Sequence, residues 1–176
     1  GKVIGIAINR MQVDDKLKET VVSLHQAENI AKLGYFQRNW QTGESFWSTG
    51  FYGLLGYTDE EIDCTHENLM ERIHEVDRKR FSDHIKDALL TKEMMNIDFR
   101  IVQKNGNEIN IRGITNNFYD SNGKPNHTRG TFQDVTEHVA AISALHENEH
   151  KFRSVAESAT DAIVSIDHAG KVIFFN

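Results

Sequence analysis

The segment His146-Glu147-Asn148-Glu149-His150 has the residue types and the spacing of a zinc-binding pattern. Two histidines four residues apart share one face of a helix, and a glutamate between them can act as a general base beside the metal. A catalytic zinc also requires a third protein ligand and walls around the site, and the polar sequence around this segment supplies neither. We therefore interpret the segment as a solvated helix face, and we expect neither a metal site nor a catalytic residue.

A second candidate lies where a predicted strand meets a predicted helix, at Asp134, Val135 and Thr136. Short polar side chains at such a junction can accept hydrogen bonds from the first helical amides and fix the direction in which the helix leaves. The pattern is equally compatible with a helix cap that has no further role. Both interpretations make this junction the point at which sheet and helix are joined.

Composition and charge limit the classes of protein to which the chain can belong. Its 176 residues include 26 acidic and 20 basic side chains, and the formal net charge of −6 disfavours a nucleic-acid-coating surface. The single cysteine, Cys64, excludes an internal disulfide framework. No apolar run approaches the roughly 18 residues that cross a bilayer. We expect a folded, cytoplasmic segment cut from a longer protein, because the chain begins at Gly1 and ends directly after an apolar run.

Apolar periodicity predicts strands and helices in an order typical of an antiparallel α+β domain. The Asn105-Gly106 pair predicts a tight hairpin, and the phase of one strand slips after Gly113, which we interpret as a β-bulge. Asp77 is the predicted N-cap of a long helix. The predicted strands span Gly1–Ile8, Tyr35–Gln41, Ser45–Ser48, Met95–Ile101, Glu108–Tyr119, His127–Asp134, Ala162–Ile166 and Lys171–Phe175, and the main predicted helices span Asp14–Lys32, Asp77–Leu90 and Thr136–Ser158.

Two of the predicted helices carry narrow apolar seams on otherwise polar surfaces. The seam positions recur at spacings of three and four residues, which is typical of helices that pair in a coiled coil. We therefore predict a homodimer that forms through these helices. The predicted seam residues are Leu17, Val21, Leu24, Ile142 and Leu145.

An internal repeat indicates tandem copies of one domain. The pentapeptide LHQAE that begins at Leu24 resembles LHENE at Leu145, 121 residues later. Such self-similarity predicts that the chain contains the tail of one copy, a complete middle copy and the head of a third. We accordingly predict segments at residues 1–13, 14–32, 33–136, 137–158 and 159–176, of which the second and fourth are linker helices.

Four segments of the middle copy resemble, in order and at ordinary spacing, the motifs of the PAS family of sensory domains. They are Leu54–Ile62, Ile73–Arg78 (with Glu75-Val76 where Pro-Asp is usual), the hairpin from Phe99 to Gly106, and Gly130–Glu137. The tail from Phe152 to Ile163 resembles the opening of a further PAS domain. The chain is thus identified as resembling part of a multi-PAS bacterial signalling protein.

The resemblance implies a five-stranded antiparallel sheet with helices over one face, a signal or ligand site between the two layers, and no catalysis. It also implies neighbouring PAS and output domains in the same protein. A sensor histidine kinase of a two-component system is the expected parent, and a diguanylate cyclase is the alternative. In this family the strand-to-helix junction couples the sheet to the signalling helix, so Asp134, Val135 and Thr136 are the expected relay residues.

Two side chains, Cys64 and His84, could hold a cofactor if the chain were similar to the light-sensing or the haem-binding members of this family. The light-sensing branch has a reactive cysteine in an Asn-Cys-Arg-Phe-Leu-Gln-like run, but Cys64 lies between Asp63 and Thr65, so we interpret it as a structural thiol. Some haem-binding members take an axial ligand from the long helix, where His84 lies at the boundary of the apolar stripe. We expect no cofactor, and a haem- or flavin-binding sensor is the alternative function.

A set of apolar side chains would occupy the space between sheet and helices. The sequence does not distinguish a filled core from a cavity that binds a small molecule, and both interpretations stay open. The candidate cavity residues are Phe36, Trp40, Leu54, Leu69, Ile73, Phe81, Ile85, Phe99 and Ile111. The expected partners are a second copy, the neighbouring domains and a small molecule, with no nucleic acid and no membrane span.

Overall fold

The computed structural model describes residues 2–158, 164–166 and 168–175, which divide into the units Gly1–Val135 and Thr136–Asn176. The first unit contains α1 (Lys2–Ile30), β1 (Leu33–Asn39), β2 (Ser45–Trp47), α2 (Thr49–Leu55), α3 (His66–Arg72), α4 (Glu75–Thr91), β3 (Met95–Val102), β4 (Glu108–Tyr119) and β5 (Pro125–Asp134). The second contains α5 (Thr136–Ser158), β6 (Val164–Ile166) and β7 (Val172–Phe175). Among the described residues, no helix is both long enough and apolar enough to cross a membrane.

Strands β1 to β5 form one antiparallel sheet, which confirms the predicted α+β fold class. The strand order is β2-β1-β5-β4-β3, and β1 pairs with β5 at seven consecutive positions. The predicted turn at Asn105-Gly106 joins β3 to β4, and Gly106 has the positive φ of 86° that L side chains rarely adopt. The first and last strands of the domain are therefore neighbours inside the sheet.

Aromatic rings fill the layer between the sheet and the helices. Phe132 of β5 lies at the centre, and its ring centroid is 5.1 Å from those of Phe36, Phe51 and Phe99. Phe81 of α4 is a fourth neighbour at 6.3 Å. Tilted and edge-on pairs of this kind are favoured by the ring quadrupoles, so one strand residue stabilises the contacts among β1, β3, α2 and α4.

The predicted β-bulge at Gly113 is wrong. Strand β4 keeps its alternation through this residue, and the register shifts instead between Phe118 and Tyr119. A Cβ on Gly113 would lie 3.0 Å from the ring of Phe132 and 3.1 Å from that of Phe99. The glycine therefore makes room for two aromatic rings and does not interrupt the strand.

The predicted strand over Gly1–Ile8 is also wrong, because the chain from Lys2 onward belongs to α1. In the described part of the chain no strand pairs with this segment, whereas a helix satisfies its backbone groups internally. Helix α1 runs as one element to Ile30. The assignment of residues 1–13 to the end of a preceding domain stays a prediction. The strand that supported this assignment is absent from the described residues.

The second unit contains the predicted helix over Thr136–Ser158, which is confirmed. The zinc-like segment on this helix is exposed, and its two carboxylates form ion pairs one turn later: Glu147 with Lys151, and Glu149 with Arg153. Strands β6 and β7 form an antiparallel hairpin. The first two residues of the strand predicted over Ala162–Ile166 lie outside the described residues.

The packing of α2 on β1 distinguishes two glycine-to-alanine variants. A Cβ on Gly34 would lie 2.8 Å from Phe51 N, whereas a Cβ on Gly53 would meet nothing within 4 Å. We expect Gly34→Ala to lower the free energy of unfolding by about 1–3 kcal/mol, because the backbone of α2 must shift. Gly53→Ala should raise it by about 0.5–1 kcal/mol through helix propensity. Urea unfolding measures both changes, and equal effects would contradict the packing.

Candidate functional site

A cavity of about 60 Å³ lies between the inner face of the sheet and the helices α3 and α4. Some of the candidate cavity residues line it, namely Phe36, Trp40, Leu69, Phe81 and Ile85. The others are buried in the packed core away from this cavity, namely Leu54, Ile73, Phe99 and Ile111. The predicted set thus divides into a cavity wall and a filled core.

The cavity has a polar end that the sequence prediction did not include. Its residues are Arg38, His66, Thr115, Asn117 and Thr128. The alternation of β1 could have identified Arg38, which shares the inward phase of Phe36 and Trp40. Thr115 and Asn117 continue the inward phase of β4, and the assumed slip at Gly113 obscured them.

A chain of hydrogen bonds orders this polar end. Trp40 Nε1 donates to Thr128 Oγ1 at 2.8 Å, and the Thr128 hydroxyl donates to Asn117 Oδ1 at 2.5 Å. The guanidinium carbon of Arg38 lies 4.6 Å from the centre of the Trp40 ring, which is a cation–π arrangement. The indole therefore fixes the position of the guanidinium relative to the cavity.

Arg38 and His66 determine the electrostatics of the cavity. Arg38 Nε is buried and has no hydrogen-bond partner among the described residues. Burial lowers the pKa of His66, and the positive charge of Arg38 lowers it further, whereas Glu67 acts in the opposite direction. At neutral pH the polar end therefore combines a positive charge with a neutral imidazole.

Helix α4, which forms one wall of the cavity, is held by a buried carboxylate that the sequence prediction assigned to another role. His74 is the N-cap of α4, and its Nδ1 accepts from Val76 N at 3.3 Å. The predicted cap, Asp77, instead accepts hydrogen bonds from Arg100 Nε of β3 at 2.9 Å and from Arg100 N at 3.0 Å. The guanidinium bond is the main cause that lowers the pKa of Asp77. Asp77 is therefore an anchor between helix and sheet.

His84 and Cys64 do not fit the cofactor roles considered from the sequence. His84 is exposed on α4, and its Nδ1 lies 2.9 Å from Arg80 O. The cavity is far smaller than the roughly 300 Å³ at which pockets for larger ligands begin. Burial raises the pKa of Cys64 to about 12, so the thiol is protonated at neutral pH, and it does not line the cavity.

The relay junction connects the two ends of the domain. Asp134 N donates to Lys32 O at 2.9 Å, and Val135 N donates to Asn110 O at 2.8 Å. Lys32 lies in the turn that follows α1, and α5 begins at Thr136. A backbone hydrogen bond therefore joins the turn after α1 to the last residue of β5, two residues before α5 begins.

The predicted seam residues are exposed, each within its own unit. On α1, the exposed fractions of Leu17, Val21 and Leu24 are 61%, 44% and 57%. On α5, those of Ile142 and Leu145 are 43% and 66%. Apolar side chains exposed to this extent along one helix are available to a partner helix.

Comparison with known proteins agrees with this geometry. A family profile described as PAS fold matches residues 44–132. The chain belongs to the PAS-fold family. This PAS domain is a sensor domain that resembles those of histidine kinases and diguanylate cyclases, as the sequence motifs predicted.

Two curated bacterial proteins are similar to the chain over part of their length. The probable diguanylate cyclase DgcE of Escherichia coli is 29% identical over 100 residues, which cover 57% of this chain and 9% of that protein. Sensor protein FixL of Bradyrhizobium diazoefficiens is 24% identical over 144 residues, which cover 82% of this chain and 28% of that protein. The matches thus span less than a third of each relative.

Solved structures show the same fold. A sensory box histidine kinase/response regulator from Burkholderia thailandensis is 25% identical with a TM-score of 0.62, and the match covers 74% of this chain and 98% of that chain. The N-terminal domain of a diguanylate cyclase with a PAS/PAC sensor, from Marinobacter aquaeolei, is 19% identical with a TM-score of 0.55. This match covers 60% of this chain and 97% of that chain.

The anchor between α4 and β3 predicts a pH-dependent loss of stability. The pKa of Asp77 is lower in the folded chain, so its contribution is complete above the unfolded pKa of about 4 and is lost as the pH falls through the folded value. We expect Asp77→Asn to lower the free energy of unfolding at pH 7 by about 1.5–3 kcal/mol and to flatten its decline in acid.

The matched control for this prediction is Asp83→Asn, because Asp83 pairs with Lys79 on the exposed side of the same helix. Exposed pairs contribute little, so this variant should unfold almost as the unchanged chain does. Urea titrations at a series of pH values measure both variants. If the free energy of unfolding falls as steeply toward acid pH in Asp77→Asn as in the unchanged chain, the anchor does not stabilise the fold.

Proposed function

We propose that this PAS domain relays a conformational signal from the helix that enters it to the helix that leaves it, within a multidomain signalling protein. The observation that supports this most directly is the hydrogen bond from Asp134 N to Lys32 O. A second bond, from Gln133 Nε2 to Ala31 O at 3.3 Å, reinforces it. Along the chain, one residue, Val135, lies between Asp134 and the start of α5, so a displacement of the end of α1 would pass from Asp134 to α5 over a short covalent link.

The cavity is coupled to the same path through strands β1 and β5. Strand β1 contributes Phe36 and Arg38 to the cavity wall, and β5 contributes Thr128 and Phe132. The two strands pair at seven positions, and the pair Leu33 and Gln133, at one end of this pairing, lies beside the junction. A small molecule that changes the packing of the cavity would therefore act on the same two strands, and the helices would be biased between two packings.

The relay acts through a homodimer in this proposal, because rotation of a helix becomes a signal only against a partner surface. The exposed seam on α1 supports a coiled coil with a second copy. We assign residues 137–158 as the signalling linker, residues 159–176 as the start of a following PAS domain, and residues 1–13 as the end of a preceding one.

For the parent protein we propose a cytoplasmic sensor histidine kinase of a two-component system. The likeness to the sensory box protein of Burkholderia thailandensis and to Sensor protein FixL supports this choice. A diguanylate cyclase is the second candidate, and the 29% identity to DgcE favours it. With either parent, the domain itself acts as a sensor and leaves catalysis to another part of the protein.

Charge on the seam of α1 should separate the dimer. We expect the triple variant Leu17→Asp, Val21→Asp and Leu24→Asp to sediment at about half the mass of the unchanged chain, because the charges repel across the paired helices. The control, Val22→Asp, Ser23→Asp and Gln26→Asp, changes the net charge equally on the opposite face and should remain dimeric. An unchanged sedimentation profile of the seam variant would count against the homodimer.

Coupling across the junction should be visible in hydrogen exchange. The seam variant should separate α1 from the second copy. The amides of Asp134 and Val135 should then exchange at least about fivefold faster, because Asp134 N is hydrogen-bonded to Lys32 at the end of α1. The control is the set of β3 amides, because β3 is an edge strand that β4 separates from β5, and these amides should exchange at their original rate. Equal rates at the junction in the dimer and in the seam variant would overturn the relay.

A further inference from the structure

Arg38 brings a positive charge to the cavity, and none of the described residues that line the cavity is a carboxylate. Its side chain lines the cavity, and its buried Nε has no hydrogen-bond partner among the described residues. In the described part of the chain, the carboxylates that form ion pairs do so with other cations. A buried donor without a partner destabilises the fold, so an acceptor that enters the cavity would gain a strong interaction.

The guanidinium is already held in position before any ligand binds. It lies over the Trp40 ring, whose Nε1 donates to Thr128, and Thr128 in turn donates to Asn117. The cation–π contact holds the guanidinium beside an indole that is itself hydrogen-bonded, and a planar fork of donors matches a carboxylate better than a spherical anion. A preorganised donor loses little freedom when a ligand binds, which favours affinity.

The rest of the cavity sets the size and the chemistry of the other end of the ligand. A volume of about 60 Å³ corresponds to about four to six water-sized groups, at roughly 10–15 Å³ each. The rest of the cavity wall is mainly apolar. Its residues are Phe36, Leu69, Phe81, Ile85, Ala88, Met95 and Phe132. A phosphate or sulfate would leave most of its oxygens against this wall without donors, whereas a short alkyl group would be buried favourably.

We propose that the cavity binds a small monocarboxylate of two or three carbons, such as acetate or propionate. The carboxylate pairs with the guanidinium of Arg38 beside the imidazole of His66, and the alkyl group contacts Phe81 and Ile85. This inference rests on the proposed sensor function, because it names the class of ligand that the relay would detect.

Titration of the unchanged chain with propionate and with propionamide tests the proposal. The two molecules have nearly the same shape, and only propionate carries a charge. We expect saturable shifts of the Arg38 Nε–Hε signal and of the cavity amides with propionate, and binding at least about tenfold weaker with propionamide. Sodium chloride at equal ionic strength should give no saturable shift. Equal affinity for the acid and the amide, or no saturation with either, would overturn the proposal.

The variant Arg38→Gln removes the charge at similar length and should weaken propionate binding by about tenfold or more. The control is Arg129→Gln, which makes the same charge change at an exposed position on β5, paired with Gln37 of β1. It should bind propionate as the unchanged chain does. Circular dichroism checks that each variant is folded, and the acid–amide comparison decides the question without either variant.

The failure of this proposal is distinguishable from a failure of the relay. If propionate does not bind while the seam variant still sediments as a monomer and alters exchange at Asp134, the relay stands and the ligand class is wrong. If propionate binds but the seam variant changes neither sedimentation nor exchange, the carboxylate site stands and the relay is wrong.

Discussion

The pairing of β1 with β5 is the constraint on which the other features of the domain depend. It joins the first strand to the last at seven positions, so that the chain returns to the place where it entered the sheet. The same pairing sets Arg38 opposite Thr128, near the polar end of the cavity, and Leu33 opposite Gln133, beside the junction. The site that would receive a signal and the point that would transmit it are therefore at opposite ends of one strand pair.

Small residues allow the aromatic core to fit against this strand pair. Gly34 admits the backbone of α2, and Gly113 admits the rings of Phe99 and Phe132. The rings of Phe36, Phe51 and Phe99 pack around Phe132, and the same ring forms part of the wall of the cavity beside α3 and α4. The cavity is thus a small gap beside a closely packed aromatic cluster.

Local patterns were sufficient to predict much of the fold, and they failed where long-range contacts decide the structure. Alternation located β3 and β4 nearly to the residue, because their burial is periodic, and the bounds of α5 agree with the prediction although its side chains described from Glu137 onward are exposed. The alternating apolar residues near Lys2 predicted a strand, but a strand needs a partner that the local sequence cannot supply. Asp77 has the residue type of a cap, and only the proximity of Arg100, on a distant strand, gives it another role. The polar end of the cavity was missed because the expected set was restricted to apolar side chains.

The direct connection of β5 to α5 limits how this domain can be recombined with others. Only Val135 separates the last strand residue from the first helical residue, so no loop can absorb a change in chain length. Each residue inserted or deleted at this point would turn everything downstream by about 100° about the helix axis. In fusions with foreign output modules, activity should therefore depend periodically on linker length, and whole helical turns should restore it. Evolution of such chains would then favour insertions of complete heptads.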